Sequence, residues 1–322
     1  MKRLALVGDI GGTNARFALA ELDAMPPRIR EAIGLKVADF PRAIDALAAF
    51  LASQGLVQPP QVAVIAVAGP VRAGAIDFTN SDWILSEADL LALGFGRARL
   101  INDYAALALA APLLAGEDLR NIGSAVAGMA DGTIAVLGPG TGFGVSALVR
   151  DGSGEAVLST EGGHIGFAPA DDVEVELLRR LAARHGRVSV ERLLSGVGLD
   201  ELHECLQAID GRPREPRAAA RITSAALAGD PAALRSVERF CAILGGVAGD
   251  FALAYGATGG VLIAGGIAPR LISVLETSAF RARFEDKGRF RGYLAAIPTQ
   301  VIVRPHAALV GAARAAAGLA AT

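Results

Sequence analysis

Near its start the chain sets a carboxylate and a hydroxyl into a glycine turn, Gly8-Asp9-Ile10-Gly11-Gly12-Thr13-Asn14. Glycines without Cβ atoms let backbone N–H groups approach phosphate oxygens, and Thr13 adds a hydroxyl donor. Asp9 suits a hard cation such as Mg²⁺, held through water because that ion keeps much of its hydration shell. A glycine turn that merely reverses the chain reads equally well from these residues alone. A second turn, Gly138-Pro139-Gly140-Thr141-Gly142-Phe143-Gly144, is likewise rich in glycine with one threonine, and two such turns suggest a phosphate clamp from both sides. Neither contains G-x-G-x-x-G, and no G-K-[ST] occurs in the chain, so dinucleotide-fold and P-loop sites are not supported.

Two further clusters carry polar side chains. Asn102-Asp103 follows a short apolar strand and opens a helix. A carboxylate there could take the proton of an attacking hydroxyl, and it could equally be a helix cap. Glu161-Gly162-Gly163-His164 puts a carboxylate and an imidazole three residues apart across two glycines. Such planar groups suit paired hydrogen bonds to neighbouring hydroxyls. With His185, His203 and His306 scattered, His164 does not read as a metal ligand. Glu191, in Ser189-Val190-Glu191-Arg192, falls in the first turn of an expected helix, where it would favour the helix dipole even without a function.

The elements that must position these groups alternate between strand and helix, an α/β pattern. Residues 4–20 and 134–149 each read as strand, glycine turn, strand, and two copies of one unusual hairpin imply an internal duplication. Helices are expected over about 41–54, 172–185, 189–194, 198–209, 219–228, 231–255 and 307–317, and strands over 61–68, 97–101, 260–264 and 299–304. The 322 residues suffice for two domains, and 52% hydrophobic against 20% charged residues is the balance of a globular chain. A net charge of −2 without a basic stripe argues against nucleic-acid binding. All but Lys2, Lys36 and Lys287 of the basic residues are arginine, which with the heavy alanine content reads as a compositional habit of the source. Cys205 and Cys241 fit neither a disulfide framework nor a metal spacing, as expected of a cytoplasmic protein. The apolar run after Met1-Lys2-Arg3 breaks at Gly8-Asp9, too early for a signal peptide. The uncharged stretch 251–267 is glycine-rich and short for a membrane span, so a soluble chain is expected.

Taken together, LVGDIGGTNAR, AVAGPV, FTNSDW, INDYAALA, GPGTGFGV, EGGHIGFAP, VSVERLLSG, GGVLIAGGI and FRARFEDKGRF closely resemble the bacterial glucokinase family of the hexokinase–actin–Hsp70 superfamily, from residue 4 almost to the C-terminus. The resemblance implies a duplicated ribonuclease-H-like (actin-like ATPase) α/β fold with an ATP and sugar cleft between two domains. Residues 1–112 plus 304–322 would form the small domain and 113–303 the large one. It implies phosphate contacts from Gly8, Asp9, Ile10, Gly11, Gly12, Thr13, Gly138, Gly140, Thr141 and Gly142, with Gly265 and Gly266 near the adenosine. Glucose would be held by Asn80, Asn102, Asp103, Glu161, His164 and Glu191, with Asp103 as the base toward the 6-hydroxyl and Mg-ATP as donor. The cap reading of Asn102-Asp103 and the dipole reading of Glu191 then recede. A cytoplasmic homodimer is implied, with no nucleic-acid or membrane partner. Kinases for mannose or fructose, a silent sugar-binding regulator and an actin-like or chaperone-like ATPase are the competing readings. The chain lacks the cysteine-rich zinc motif of the ROK glucokinases, and it has His306-Ala307-Ala308 where members often carry Asn-Pro-Gly.

Overall fold

The computed structural model describes residues 3–56, 58–78, 81–123, 125–152, 154–213 and 218–321. The chain divides into two compact units, one running to Ala115 and resuming at Arg304, the other spanning Gly116–Val303.

In the first unit the hairpin of β1 (Leu4–Ile10) and β2 (Asn14–Glu21) pairs antiparallel, with β3 (Val62–Val67) and β4 (Arg97–Asn102) added in parallel. The sheet order is β2-β1-β3-β4, with short strands Arg28–Ile29 and Ile33–Lys36 against β2. Both faces of this sheet are covered, which is why its central strands read as nearly unbroken apolar runs. Leu6, Ile10, Phe17, Leu19 and Ile65 pack on one side with Leu47 and Phe50 of helix Ala43–Ser53. Ala5, Val7, Ala18, Ala20 and Val64 pack on the other with Leu309, Ala312, Ala313 and Ala316. Those alanines belong to the last helix, α6 (Ala307–Ala321), which also lies on α1 (Asp103–Ala110). There a Cβ on Gly311 would overlap the Ala106 carbonyl. In this helix the alanine content, read from composition as habit, makes a thin face for close packing.

The second unit repeats the plan. Strands β5 (Ile134–Pro139) and β6 (Phe143–Arg150) form the hairpin, β7 (Glu155–Thr160) extends it, and β8 (Gly260–Ile263) and β9 (Thr299–Ile302) add in parallel. The order β6-β5-β8-β9 mirrors β2-β1-β3-β4, so the duplicated α/β architecture implied by the two hairpins is present. A short strand, Leu119–Asn121, closes the edge beyond β9.

Its core gathers side chains from α2 (Asp172–His185), α3 (Gly196–Ile209), α4 (Pro231–Tyr255) and α5 (Phe280–Glu285). Helix α4 shows why such a segment stops where it does. Asp230 accepts from the N–H groups of Ala232 and Ala233, Pro231 occupies the first turn, and Gly256 ends the helix in a left-handed conformation at φ 58°.

The expected helix at 189–194 is absent. Ser189 pairs instead with Gly166, Val190 N–H donates to the Ile165 carbonyl, and Ser195 already caps α3 through the Gly198 N–H. Only a single turn fits in between, with Leu193 and Leu194 bonding back to Val190. Glu191 therefore has no helix dipole to answer.

Candidate active site

Three parallel strand ends bring the first unit's polar groups together. Ile10 pairs with Val67, and Val67 with Asn102, so the glycine turn, the Gly69-Pro70 turn and the Asn102-Asp103 corner leave the same end of the sheet. Ligands gather at such carboxyl ends because the loops and helix N-termini converge there. The turn itself is narrower than the motif. Gly8 and Ile10 lie inside β1, both buried. A Cβ on Gly8 would meet Ile65 at 2.8 Å and Phe17 at 2.9 Å, so Gly8 is required by core packing. Gly11, Gly12 and exposed Thr13 form the tip, closed by the Gly11 N–H on the Asn14 carbonyl at 3.0 Å.

Asp9 is half-buried in β1, opposite Arg16, whose Nη1 lies 3.9 Å from its carboxylate. Burial holds the Asp9 carboxyl above its ordinary range, with Arg16 and then His306 pulling the other way. His306 adopts φ 56°, a left-handed conformation unusual for a side-chain-bearing residue, directly before α6.

Asn102 is a cap after all. Its Oδ1 accepts from the Tyr104 and Ala105 N–H groups at 3.0 and 3.2 Å, and its Nδ2 donates to the Gly69 carbonyl at 3.2 Å. Asp103 is the first residue of α1, half-buried, with Oδ1 accepting from the Tyr104 N–H at 3.0 Å. Asn80 lies outside the described residues.

In the second unit the turn Gly140–Gly142 sits at the head of the β5–β6 hairpin, closed by the Gly140 N–H on the Gly142 carbonyl at 2.8 Å. The Gly196 N–H at the start of α3 holds the Gly140 carbonyl at 3.0 Å. Gly138 lies within β5, where a Cβ would overlap the Ala264 carbonyl. That close approach brings the chain after β8 alongside the turn, with the Ile267 N–H on the Pro139 carbonyl at 3.3 Å. Gly265, at φ 86°, and Gly266, whose Cβ position faces open space, are thus neighbours of the Gly140–Gly142 turn.

Glu161 precedes a 3₁₀ turn, Gly162–His164. A Cβ on Gly163 would overlap the Phe143 carbonyl, and one on Gly162 would press on Phe251 and Val145 at 2.9 Å. The two glycines therefore let this turn lie flat on β6. The segment 187–191 runs back along it: Phe167 N–H donates to Val188, Val190 N–H to Ile165, and Glu191 N–H to the Gly163 carbonyl at 2.9 Å. As a result His164 stands between two carboxylates, with Nε2 3.9 Å from Glu161 Oε2 and Nδ1 3.9 Å from Glu191 Oε1. His164 and Glu161 are well exposed, and Glu191 is one-third exposed. Thr141, His164 and Glu191 line one cavity of about 370 Å³ together with Arg187, Ser189 and Arg192.

Sequence reasoning missed Arg187, which donates to the His164 carbonyl at 2.8 Å, and the Phe143 N–H, which donates to Glu191 at 2.8 Å. Neither is signalled by residue type, since one acts through its reach and the other through backbone.

Among the described residues no three His, Cys, Asp or Glu side chains gather into a metal cluster. Asp9 alone still fits Mg²⁺. The ion commonly takes one or two carboxylates and completes its shell with water and phosphate, and a carboxylate whose charge burial disfavours is one that a nearby cation would favour. Among the described residues no helix is long and apolar enough to cross a membrane.

Two sheets of one strand order, each headed by a glycine turn, form the duplicated α/β fold of the actin-like ATPases. The sequence model described as Glucokinase matches residues 6–319. A glucokinase of Caulobacter sp. (strain K31) is 56% identical over 96% of this chain and 94% of its own length. One from Chromobacterium violaceum is 45% identical over 96% of this chain and 88% of its own. The crystal structure of a glucokinase from an Antarctic psychrotroph superimposes with TM-score 0.89 at 39% identity, over 99% of this chain and all of that one. The chain belongs to the glucokinase family.

Proposed function

We propose that the chain transfers the γ-phosphoryl group of ATP to the 6-hydroxyl of D-glucose, releasing ADP and glucose 6-phosphate. The observation that carries this reading is the Glu161–His164–Glu191 array, with 3.9 Å between neighbours. An ATPase without a sugar substrate would have no use for such a set beside its glycine turn. The name of a relative 56% identical across nearly the whole chain supports it.

In this reading the turns at Gly11–Thr13 and Gly140–Gly142 offer N–H groups and hydroxyls to the phosphate oxygens, and Gly265-Gly266 lie along the adenosine. Asp9 would hold Mg²⁺ through water, and the ion would supply charge neutralisation on the phosphates. Asp103 accepts the hydroxyl proton as the bond from the sugar oxygen to phosphorus forms and the bond to the bridging oxygen of ADP breaks. Asn102 contributes chiefly by fixing Asp103: its cap bonds set the first turn of α1. Glu161, His164 and Glu191 orient the sugar hydroxyls. Because positioning is most of phosphoryl-transfer catalysis, this prearranged hydrogen bonding is where rate is gained. A cytoplasmic homodimer is the setting that family membership favours.

The test is ATP-dependent formation of glucose 6-phosphate by the purified protein, coupled to NADPH production and repeated with mannose and fructose. Turnover on glucose well above the other two sugars is the expected result. A better rate on mannose or fructose reassigns the substrate. No turnover on any sugar, with sugar binding retained by calorimetry, would point to a silent regulator.

A further inference from the structure

Glu191 faces two ways. Its Oε1 lies 3.9 Å from His164 Nδ1 in the sugar set. Its Oε2 accepts from the Phe143 N–H at 2.8 Å, on the descending limb of the Gly140–Gly142 turn. The turn is shaped to receive this carboxylate, for a Cβ on Gly142 would overlap Oε2. On its far side the turn is pinned by the Gly196 N–H on the Gly140 carbonyl. Glu191 and α3 thus hold the turn from opposite limbs. Backbone bonding does not replace it: in the β5–β6 register the pair Pro139–Phe143 ends the ladder, so the side chain of Glu191 extends the order of the hairpin into its tip.

Resting on the reading of this site as a glucose and ATP site, we propose that Glu191 is the positioning residue of the nucleotide turn as well as a sugar contact, and that it couples the two ligands. A sugar hydroxyl drawing on Oε1 fixes the carboxylate, and the fixed carboxylate keeps the Phe143 N–H and the turn in the shape that receives phosphate. Coupling of this kind is reciprocal: each ligand tightens the other by the same factor, typically about 5-fold or more. The charge has a second effect. A carboxylate that accepts from the turn offsets part of the positive field of its N–H groups, so the bond positions the turn without leaving that donor unpaired.

The probe is the non-hydrolysable ATP analogue AMPPNP with Mg²⁺, titrated calorimetrically into the full chain with and without saturating glucose. In the unaltered protein glucose should tighten AMPPNP by at least about 5-fold. Glu191→Ala should weaken AMPPNP by a similar factor with no sugar present, which loss of a mere sugar contact would not do, and should abolish the coupling. Glu191→Gln keeps an oxygen that can accept from the Phe143 N–H and should hold sugar-free AMPPNP affinity within about twofold of the parent. If the alanine variant does not fold, Gly142→Ala displaces the same carboxylate and should give the same weakening. Parental AMPPNP affinity in the sugar-free alanine variant, or equal weakening in the glutamine variant, overturns the proposal while leaving the kinase reading intact. Failure of the unaltered protein to bind AMPPNP at all overturns both.

Discussion

Replacing Glu174 by alanine should destabilise the second unit severely and loosen the Gly162–His164 turn with it. Glu174 is fully buried near the start of α2 and accepts three donors: Arg239 Nη1 at 3.0 Å, Arg283 Nη2 at 2.9 Å and the Ala170 N–H at 2.9 Å. Asp171 bonds Arg239 as well and lies 3.7 Å from Arg283, while capping α2 through the Glu174 N–H. Removing one partner of a buried ion pair typically costs about 3–5 kcal/mol because the other charge is stranded. Here Asp171 remains to both guanidiniums, and these are about one-fifth exposed, so the lower end, about 3 kcal/mol, applies. At about 2–4 °C per kcal/mol for a domain of this size, melting should fall by roughly 6–12 °C. The Ala170 N–H also loses its anchor, four residues beyond the Gly166–Ser189 bridge that follows the Gly162–His164 turn, whose His164 and Glu161 are the proposed sugar contacts. KM for glucose should therefore rise more than kcat falls. Thermal melts followed by calorimetry, and initial rates across glucose concentrations at a temperature where both proteins are folded, measure the two effects. A variant melting within 2 °C of the parent would refute the ion-pair accounting, and an unchanged KM would refute the link to the proposed sugar contacts at Glu161 and His164.

Asp103→Asn removes the proposed proton acceptor while keeping the shape of the α1 N-terminus, so kcat should drop by about 10²–10⁴ with glucose binding retained by calorimetry. Loss of binding together with rate would show that Asp103 serves mainly to hold sugar or helix. Asp9→Asn has the opposite consequences for stability and function. The Asp9 carboxyl is raised by burial, so its ionised form costs stability that is absent at acid pH and grows as pH rises through the folded-state value. Without ligand the variant should melt above the parent at pH 7, with the gap closing below about pH 4, and Mg-ATP should stabilise it less. A parent more stable than the variant at pH 7 would reverse the sign. Gly311→Ala, remote from the chemistry, should force α6 off α1 at the Ala106 carbonyl and cost about 1–3 kcal/mol or more, read as lowered melting of the first unit. A neutral effect would mean that the helices can part freely.

The duplication was legible because both hairpins wear their turn chemistry openly: glycines at the tip, apolar runs on each limb, and buried strands on both faces. Long helices with explicit ends, such as α2 and α4, were equally plain. The segment 189–194 misled because Val190, Leu193 and Leu194 have helical spacing, yet their burial serves a single turn whose backbone is claimed by residues 163–166. Residue identity paired Glu161 with His164, the family resemblance added Glu191, and the structure brings the three side by side. The cap at Asn102 was legible in the Asn-Asp pair and receded only on the resemblance, whereas residue identity could not show that Gly8 answers to Phe17 or that Arg187 steadies His164, since each depends on what folds against it. The run FRARFEDKGRF carried a resemblance but no visible task. Its Arg283 enters the Glu174 network, and Arg281 collects the carbonyls of Leu294, Ala295 and Ile297.

The last helix belongs to the first unit, and this sets an order of events on the ribosome. Helix α6 covers one face of a sheet whose strands were all made before residue 103, and it is tied there by Arg97 on the Leu319 carbonyl at 2.7 Å and by Arg314 on the Leu109 carbonyl at 3.1 Å. At synthesis rates of about 5–20 residues per second, the sheet waits roughly 10–40 s with Ala5, Val7, Val62 and Val64 uncovered. The intervening stretch Gly116–Val303 is continuous and can close its own core in that interval. The part of the chain born first is thus the part finished last, and its open alanine-and-valine face is where a holding chaperone would find the nascent protein.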